Sequence, residues 1–531
     1  MVVSRTRLES EQKSQRAEKA RRLGQRWKQQ FRWQDARLVP PEIVELWRTL
    51  IAEGKKSVVS TSSAIEPWHR AVMELMACAD EACSGLGFLP SVEWRKGDLA
   101  TECLWQFFLR TQTGKLPLEY AHSLTIQVDP DKVCVMPKAL TPGVGCTLRS
   151  LSHHVALLPG RGTVRTSWHL AVASAKSTGC RPNGGEALNI LAVPFPYAIH
   201  GTDFVRAPSP TNPAAGYFEL QQRWLEPSST QSGLEELVHL VENLIDEAQR
   251  EVGRIHLVVF PEAALTRVLT LKLAEGLATR YPTLEAVISG TIDPIIGQDG
   301  LQRFRNNAIS VELIDGRIAA ELIQHKHHRW RLDRDQIENY GLAHELDPRL
   351  DWWENLDVDQ RQLSFVLNRR NWVRTVLICE DLARFDPVLP AINAIGPNLV
   401  IALLLDGPQL STRWPARYAT VLADDPGSAV LSLTSLGMVE RARKRGVDFR
   451  RVVGLWKDPS GQTKELELPE NHHGLVLTLT LRDSTQWTMD RRSDDGMSTH
   501  LTLSGVRSVR TTSKSGWLLR TPTDSPSQRT S

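Results

Sequence analysis

The sequence has 531 residues, of which 41% are hydrophobic and 24% are charged. This balance is typical of folded globular proteins and excludes the disordered and fibrous classes. With 64 basic and 61 acidic residues, the chain lacks the overall positive field that non-specific nucleic-acid binding uses. Its length exceeds that of one typical core, so we predict two to three domains.

The N-terminus and the best apolar run argue against secretion and membrane insertion. The charged residues from Arg5 to Lys13 leave no apolar segment of the kind a signal peptide needs. The best apolar run, 399–405, ends at Asp406 and is too short to span a bilayer. We therefore expect a cytosolic protein without a membrane partner.

Cysteine usage agrees with a reducing compartment. The seven cysteines are an odd number spread over a long chain, and no Cys-x-x-Cys pair occurs. A disulfide framework or a structural zinc site would need regular spacing. We interpret the cysteines as reduced thiols and predict no bound metal.

Residues 1–186 are predicted to form a separate, helical or mixed N-terminal domain whose fold the pattern does not identify. The segment 5–37 is rich in Arg, Lys, Gln and Glu with interspersed apolar residues, which is typical of a helix. A basic stripe carrying Trp27, Phe31 and Trp33 fits either an RNA or protein contact or a solvated helical face. We favour the solvated face, and nucleic acid is not an expected partner.

From residue 187 the sequence changes to a regular alternation of strand and helix patterns. The predicted elements, in chain order, are a strand over 188–193, a helix over 233–252, a strand over 255–260, a helix over 263–279, strands over 286–290, 307–314 and 317–325, a strand that ends at Cys379, and strands over 399–405, 429–433, 451–456 and 474–481. The Asp315-Gly316 pair predicts a hairpin turn. We assign 187–483 to one α/β domain and 484–531 to a C-terminal extension that is disordered at its end.

A charged or nucleophilic residue follows three of the predicted buried strands. Glu262 comes after HLVVFP, Lys326 follows the second strand of the hairpin, and Cys379 ends VRTVLIC. Taken singly, each has a structural interpretation: a helix cap, a surface charge and a small buried side chain. Because the ends of central strands converge in a layered α/β fold, we expect the three side chains to meet in one cleft.

A thiol, a carboxylate and an ammonium ion are the groups that acyl transfer through a covalent intermediate needs. Cys379 would attack an amide or nitrile carbon, and Glu262 would move the protons. Lys326 and the backbone N–H of Glu380 would stabilise the oxyanion. A buried ammonium lowers the pKa of a nearby thiol and needs carboxylates to offset its own desolvation, so we expect a further glutamate near Lys326.

The same residues lie in short blocks that resemble the signature of the nitrilase, or carbon-nitrogen hydrolase, superfamily. The matching stretches are FPEAA at 260–264, RNNAISVELIDGRIAAELIQHKHH at 305–328, ICED at 378–381, and Trp414, Pro415 and Arg417 after the next strand. The resemblance covers residues 187–483.

This resemblance implies a fold and a reaction. The fold is α/β, a four-layer αββα sandwich, and the protein is a homo-oligomer. The reaction is hydrolysis of a non-peptide C–N bond in a small amide, carbamoyl compound or nitrile through a thioester. Glu262, Lys326 and Cys379 form the catalytic triad, without a metal or another cofactor.

The resemblance also implies an accessory glutamate beyond the lysine. We predict Glu338 for this catalytic role, since it is nearer to Lys326 in sequence than Glu345. Glu321 is a further candidate.

Residues 327–362 depart from the family's pattern, because they carry a long basic and aromatic insertion. Its tryptophans, such as Trp330, either shape the substrate pocket or pack against the N-terminal domain. We place Glu380, His328 and Trp414 at the substrate. The histidines beside the lysine are interpreted as packing and orienting groups and not as metal ligands.

Two functions stay open at this point. The triad favours an active hydrolase, whereas the large unassigned N-terminal third favours a nitrilase-like scaffold that senses a small molecule or binds a partner with little turnover. Acyl transfer to an amine is disfavoured, because the related lipoprotein acyltransferases are membrane-embedded and this chain has no spanning segment. A glutaminase that feeds an attached synthetase is disfavoured as well, because no nucleotide motif follows residue 483.

Overall fold

The computed structural model describes most of the chain from residue 187 onward and several segments before it. The described residues are 10–30, 40–53, 67–82, 133–134, 152–153, 155–157, 164–170, 187–207, 215–296, 302–358, 361–368, 372–442, 449–485 and 497–511. Phe31 and Trp33 of the predicted basic stripe, and the tail over 512–531 that we predicted to be disordered, lie outside the described residues.

The secondary structure of the described segments alternates between strands and helices from residue 187 onward. The α-helices are α1 (Ser10–Gln30), α2 (Pro41–Ala52), α3 (Pro67–Ala82), α4 (Gln231–Val252), α5 (Arg267–Arg280), α6 (Arg334–Asn339), α7 (Leu389–Ile395), α8 (Trp414–Asp424) and α9 (Leu436–Arg441). Short 3-10 helices cover Gly201–Asp203, Arg223–Ser229 and Cys379–Leu382. The strands are β1 (Val133–Cys134), β2 (Ala156–Leu157), β3 (Arg165–Leu170), β4 (Leu188–Ala192), β5 (Phe204–Ala207), β6 (Ala215–Leu220), β7 (Leu257–Val259), β8 (Ala286–Ile296), β9 (Gln302–Ile314), β10 (Arg317–His325), β11 (Arg331–Leu332), β12 (Asp351–Glu354), β13 (Gln362–Asn368), β14 (Trp372–Ile378), β15 (Leu399–Leu404), β16 (Ala429–Thr434), β17 (Val452–Lys457), β18 (Thr463–Glu467), β19 (Gly474–Thr485) and β20 (Met497–Val509).

The strands form two large sheets and two small ones. The first seven-stranded sheet, sheet 1, has the order β10-β9-β8-β7-β4-β19-β20, and the second, sheet 2, has the order β18-β17-β16-β15-β14-β13-β3. A four-stranded sheet has the order β11-β12-β6-β5, and β1 pairs with β2. The inner strands run parallel: β7 lies between β4 and β8, and β15 lies between β14 and β16.

The inner strands are continuous apolar runs because both of their faces are buried. LNILA in β4, LVV in β7, LVIALL in β15 and AVLSLT in β16 are buried at every position. Parallel strands are usually covered on both faces, which removes the alternation of apolar and polar residues. The parallel arrangement places the carboxyl ends of these strands at one edge of their sheet, where ligands bind in open α/β sheets.

Amphipathic helices cover both large sheets. The side chain of Thr230 caps α4 by accepting a hydrogen bond from Gly233 N, and Leu237, Leu240 and Leu244 of this helix are fully buried. Full burial of each leucine stabilises the fold by about 2 kcal/mol. α4 and α5 contact strands of sheet 1, whereas α8 and α9 contact strands of sheet 2. No helix in the described part of the chain is both long and apolar enough to cross a bilayer.

The two large sheets face each other across one core. β10 contacts β13, and β9 contacts β14. Polar bonds also join the sheets: Gln324 Nε2 donates to Val376 O at 2.5 Å, and Gln324 Oε1 accepts from Ser364 N at 3.1 Å. The buried guanidinium of Arg374 pairs with Glu312. These bonds fix β14 against sheet 1.

Part of the predicted N-terminal domain forms a small helical cluster in which α1 and α2 both contact α3. Its buried apolar residues are Ala20, Leu23, Ile43, Ala77 and Cys78. Asp80 in α3 is buried and accepts from the backbone N–H groups of His153 and Val155 at 2.8 and 3.0 Å. The segment that Asp80 bonds continues into β2, and β2 contacts α7. Asp80 therefore links the helical cluster to a segment that packs on the α/β region.

The large sheets extend beyond the region 187–483 that we assigned to the α/β domain. β3 precedes this region and pairs parallel with β13, and β20 follows it and pairs antiparallel with β19. Both are edge strands, which lack the long apolar runs of the inner strands. The four-stranded sheet was not predicted either, because its strands are short.

Gly290 lies in β8 and allows the turn after β7 to pass close to β8. Its N–H donates to Pro261 O at 3.0 Å, and its carbonyl accepts from Leu265 N at 3.2 Å. A Cβ added to Gly290 would lie 2.4 Å from Glu262 Cα and 2.6 Å from Ala263 N. Because the obstructing atoms belong to the backbone, a larger residue would displace the turn that carries Glu262.

We expect Gly290→Ala to lower the free energy of unfolding by about 2 kcal/mol, because the added methyl group overlaps backbone atoms. Urea unfolding followed by tryptophan fluorescence measures the change. Gly505→Ala is the matched control, because Gly505 also lies in a strand and a Cβ there meets nothing within 4 Å. Equal stability of the two variants would contradict the role of Gly290.

Candidate active site

The structure brings Glu262, Lys326 and Cys379 together at the ends of β7, β10 and β14. Their exposed fractions are 1%, 1% and 3%. Lys326 Nζ lies 2.8 Å from Glu262 Oε1, and the charges of both residues act on the Cys379 thiol. The three residues that the sequence pattern singled out therefore form one buried cluster.

The ammonium group of Lys326 lies between two carboxylates. Nζ is 2.8 Å from Glu262 Oε1 and 2.6 Å from Glu354 Oε2. Burial disfavours the charged form of the lysine, but the two carboxylates outweigh burial and raise its pKa well above the usual value. Lys326 is therefore a cation at neutral pH, as a group that stabilises an oxyanion must be.

Asn306 holds both carboxylates in place. Its Nδ2 donates to Glu262 Oε1 at 2.7 Å and to Glu354 Oε1 at 3.1 Å. Trp330 N donates to Glu354 Oε2 at 3.1 Å. Glu354 thus has partners on both oxygens, whereas the buried Oε2 of Glu262 has none within the described part of the chain. That free oxygen is available to accept a proton from a reacting group.

The prediction of Glu338 as the accessory glutamate needs correction, because Glu354 lies at the lysine instead. Glu338 lies in α6, where it pairs with Arg334 and exposes 51% of its side chain. A side chain so exposed cannot offset the burial of the Lys326 ammonium.

The other two candidate glutamates also lie elsewhere: Glu321 pairs with an arginine of α5, and Glu345 lies beside the first 3-10 helix. The pattern of β12 could have identified Glu354. Trp352 and Glu354 are buried, and Trp353 between them is more exposed. A glutamate on the buried side of a strand needs a cationic partner.

Cys379 begins a 3-10 helix directly after β14. Its φ is 44°, which is uncommon for a residue other than glycine. A sharp strand-to-helix turn of this kind presents a nucleophile beyond the end of its strand.

The pKa of the Cys379 thiol is raised overall by burial, although the nearby ammonium lowers it as we expected. Burial is the main cause, the Glu262 carboxylate adds to it, and Lys326 opposes it. Burial also raises the pKa of Glu262, where Lys326 opposes the shift and Glu354 supports it. The resting site therefore holds a protonated thiol, whose attack requires a base that removes the proton during the reaction.

Asp381 connects the turn after Lys326 with the turn at Cys379. Its two carboxylate oxygens each accept from His327 N at 3.1 Å, and Oδ1 lies 2.9 Å from His328 Nδ1. The histidines thus help to orient the lysine. Among the residues that the structure describes, no group of three metal-ligating side chains occurs.

Each of the three predicted substrate-binding residues contacts another part of the protein. His328 is held by Asp381 and exposes 23% of its side chain. The Glu380 carboxylate pairs with Arg384 at 2.9 Å. Trp414 begins α8 and packs, partly buried, against the main core. Contacts of these three residues with a substrate stay predictions.

Comparisons with known proteins show structural similarity without sequence matches. No family model matches the chain, and no curated protein matches it. A Saccharomyces cerevisiae protein of branch 10 of the nitrilase superfamily is similar, with 14% identity, a TM-score of 0.33, and coverage of 55% of this chain and 90% of that one.

Two further solved structures are similar over part of their length. A glutamine-dependent NAD+ synthetase from Acinetobacter baumannii has 13% identity and a TM-score of 0.33, over 60% of this chain and 48% of that one. An N-terminal amidase has 11% identity and a TM-score of 0.24, over 42% of this chain and 48% of that one. The chain thus spans about half the length of both. The function proposed below depends on the residues around Lys326 and not on these similarities.

We expect Glu354→Gln to lower the free energy of unfolding by about 3 kcal/mol, because it removes one of two charges that offset the burial of Lys326. Urea unfolding gives the value. Glu338→Gln is the same change at an exposed position and should alter stability by at most about 0.5 kcal/mol. If the two variants were equally stable, the pairing of Glu354 with Lys326 would be refuted.

Proposed function

We propose that the two facing sheets form a nitrilase-type carbon-nitrogen hydrolase domain that acts on a small amide, carbamoyl compound or nitrile. The observation that supports this most is the Lys326 ammonium, shared by Glu262 and Glu354 beside the Cys379 thiol. A base, a cation and a nucleophile are the groups that acyl transfer requires. A buried ion pair with only a structural role would not need a thiol at a positive-φ turn.

The first half of the reaction forms a thioester. Sγ of Cys379 attacks the carbonyl carbon of an amide while Oε2 of Glu262 takes the thiol proton. Glu262 then gives this proton to the leaving nitrogen. The C–N bond breaks, the amine or ammonia leaves, and the acyl group stays on sulfur.

The second half releases the acid. Water attacks the thioester carbon, and Glu262 takes a proton from the water. The C–S bond then breaks, and the proton returns to Sγ of Cys379. The carboxylic acid leaves, and the site returns to its starting protonation state.

Lys326 and the backbone N–H of Glu380 are the proposed oxyanion donors in both halves. The negative charge on the carbonyl oxygen develops in a buried site, where a fixed ammonium stabilises it more strongly than water does. Glu354 acts through Lys326, because it keeps the ammonium charged and in place. The reaction needs no cofactor, since these residues supply every group that it uses.

The proposal extends to the whole architecture. The contacts of α4 and α5 with sheet 1, and of α8 and α9 with sheet 2, support a four-layer αββα sandwich. A homo-oligomer and a cytosolic location, both expected from the sequence, belong to the same proposal.

Alkylation of Cys379 by iodoacetamide should depend on pH through Glu262 in the wild type. Since the pKa of Glu262 is raised above 4.5, the rate should increase as this carboxyl ionises and then level off. In Glu262→Gln only direct ionisation of the thiol remains, and burial, the main cause of its raised pKa, persists in this variant. The rate in this variant should be low near neutral pH and rise about tenfold per pH unit. Mass spectrometry of the modified peptide measures both profiles.

Cys78 is the internal reference, because it is also a buried cysteine. It should react slowly, and its rate should not respond to Glu262→Gln. Equal rates for Cys379 and Cys78 in the wild type would contradict an activated nucleophile. They would favour the alternative of a sensing or partner-binding scaffold.

A further inference from the structure

Asp406 lies beside the proposed site, and the proposed reaction does not use it. It follows β15 by two residues, and β15 is the parallel neighbour of β14, with Leu403 opposite Ile378. Only 5% of the residue is exposed. The Asp406 carboxylate is therefore buried at the same end of sheet 2 as Cys379.

The two oxygens of this carboxylate differ in their partners. Oδ1 accepts from Tyr340 OH at 2.5 Å, Gly407 N at 2.8 Å and Arg413 Nη2 at 2.9 Å. Oδ2 is buried and has no hydrogen-bond partner among the residues that the structure describes. Buried carboxylate oxygens are normally hydrogen-bonded, so Oδ2 is an unfilled acceptor.

Two observations connect Asp406 with the reaction centre. Leu405, the residue before Asp406, and Tyr340, which donates to its carboxylate, belong to the apolar cluster that also contains Ala263, the residue after the proposed base. Burial is the main cause of the raised pKa of Cys379, and the charge of Asp406 adds to it. The free oxygen thus belongs to the surroundings of the thiol.

Arg413 does not occupy the free oxygen. Its Nη2 donates to Asp406 Oδ1, and its Nη1 donates to Pro408 O at 3.0 Å. The arginine offsets the charge of the carboxylate but leaves Oδ2 without a donor. A cationic donor at Oδ2 would form a charge-assisted hydrogen bond, which is roughly twice as strong as a neutral one.

We propose that Oδ2 of Asp406 binds an ammonium group of the substrate, so that the preferred substrate is an amide bearing a cationic amine. This inference rests on the proposed function, because it assigns the space beside Cys379 to the substrate of that reaction. An anionic substrate is disfavoured, because an anion has no proton to donate to Oδ2. Trp330 and Tyr340 of the neighbouring apolar cluster suit the methylene groups that join an amine to an amide.

Three small alkylating reagents test the charge preference without the natural substrate. 2-Bromoethylammonium is cationic, iodoacetamide is neutral, and iodoacetate is anionic. The rate of Cys379 alkylation by each reagent is measured near neutral pH and divided by its rate with N-acetylcysteine. This division removes the intrinsic reactivity of the reagent.

In the wild type, the normalised rate of the cation should exceed that of the anion by about tenfold or more, as a hydrogen bond between charged groups predicts. Asp406→Asn should reduce the preference for the cation over iodoacetamide by about tenfold. Because this preference is a ratio to the iodoacetamide rate of the same variant, any change in the thiol that the lost charge of Asp406 causes cancels. Asp351→Asn is the matched control, because Asp351 lies in an exposed ion pair with Arg331, and it should keep the wild-type preference.

A protection experiment tests the ammonium site in the wild type, so it does not depend on the folding of Asp406→Asn. Propylammonium should slow the alkylation of wild-type Cys379 by iodoacetamide as its concentration rises, and propionate should not. Equal effects of the two ions would overturn the ammonium site.

Failure of this inference and failure of the proposed function give different results. If iodoacetamide labels Cys379 no faster than Cys78, the proposed function fails, and the ammonium site fails with it. If Cys379 is labelled fast but without a preference for the cation, only the ammonium site is overturned. The same holds if Asp406→Asn keeps the preference.

Discussion

A single ammonium ion buried between two carboxylates determines how this site is built. Burying an isolated charge costs several kcal/mol, so Lys326, Glu262 and Glu354 are each stable in the interior only with the others. Their pairing requires the ends of β7, β10 and β12 to meet at one place. Gly290 allows the close backbone approach that this meeting needs. The site is therefore part of the folded core, and a change in its charges is also a change in stability.

The burial of this cluster also determines how the thiol can lose its proton in the proposed reaction. Because the pKa values of the thiol and of Glu262 are both raised, proton transfer has to accompany attack, and a preformed thiolate is not expected. Asp381 lies in the turn that begins at Cys379, and its carboxylate bonds His327 and His328, the two residues after Lys326. These bonds keep the Cys379 turn near the Lys326 ammonium. Glu262, Lys326 and Cys379 thus lie in three turns that are bonded to one another.

Much of the inner fold was predictable, because continuous apolar runs such as 188–193 mark buried strands, and β4 covers Leu188–Ala192. The burial of Glu262, Lys326 and Cys379 at strand ends was predictable from their positions after such strands. Glu354 was not predicted, because the accessory glutamate was chosen by its nearness in sequence to Lys326. Glu354 is farther along the chain and reaches the lysine because its strand, β12, pairs between β11 and β6. The lowering effect of the ammonium on the thiol pKa was predicted, whereas the larger and opposite effect of burial was not. The edge strands β3 and β20 fell outside the predicted region, because edges lack long apolar runs.

The most direct test of the central claim, that Glu262, Lys326 and Cys379 act as one unit, is a double-mutant cycle. Iodoacetamide alkylation of Cys379 is measured in the wild type, Glu262→Gln, Lys326→Met and the double variant, each shown to be folded by circular dichroism. Residues that act as a unit are not additive, so the double variant should react no more slowly than the slower single variant. Losses that multiply as for independent sites, or a single variant as fast as the wild type, would contradict the account.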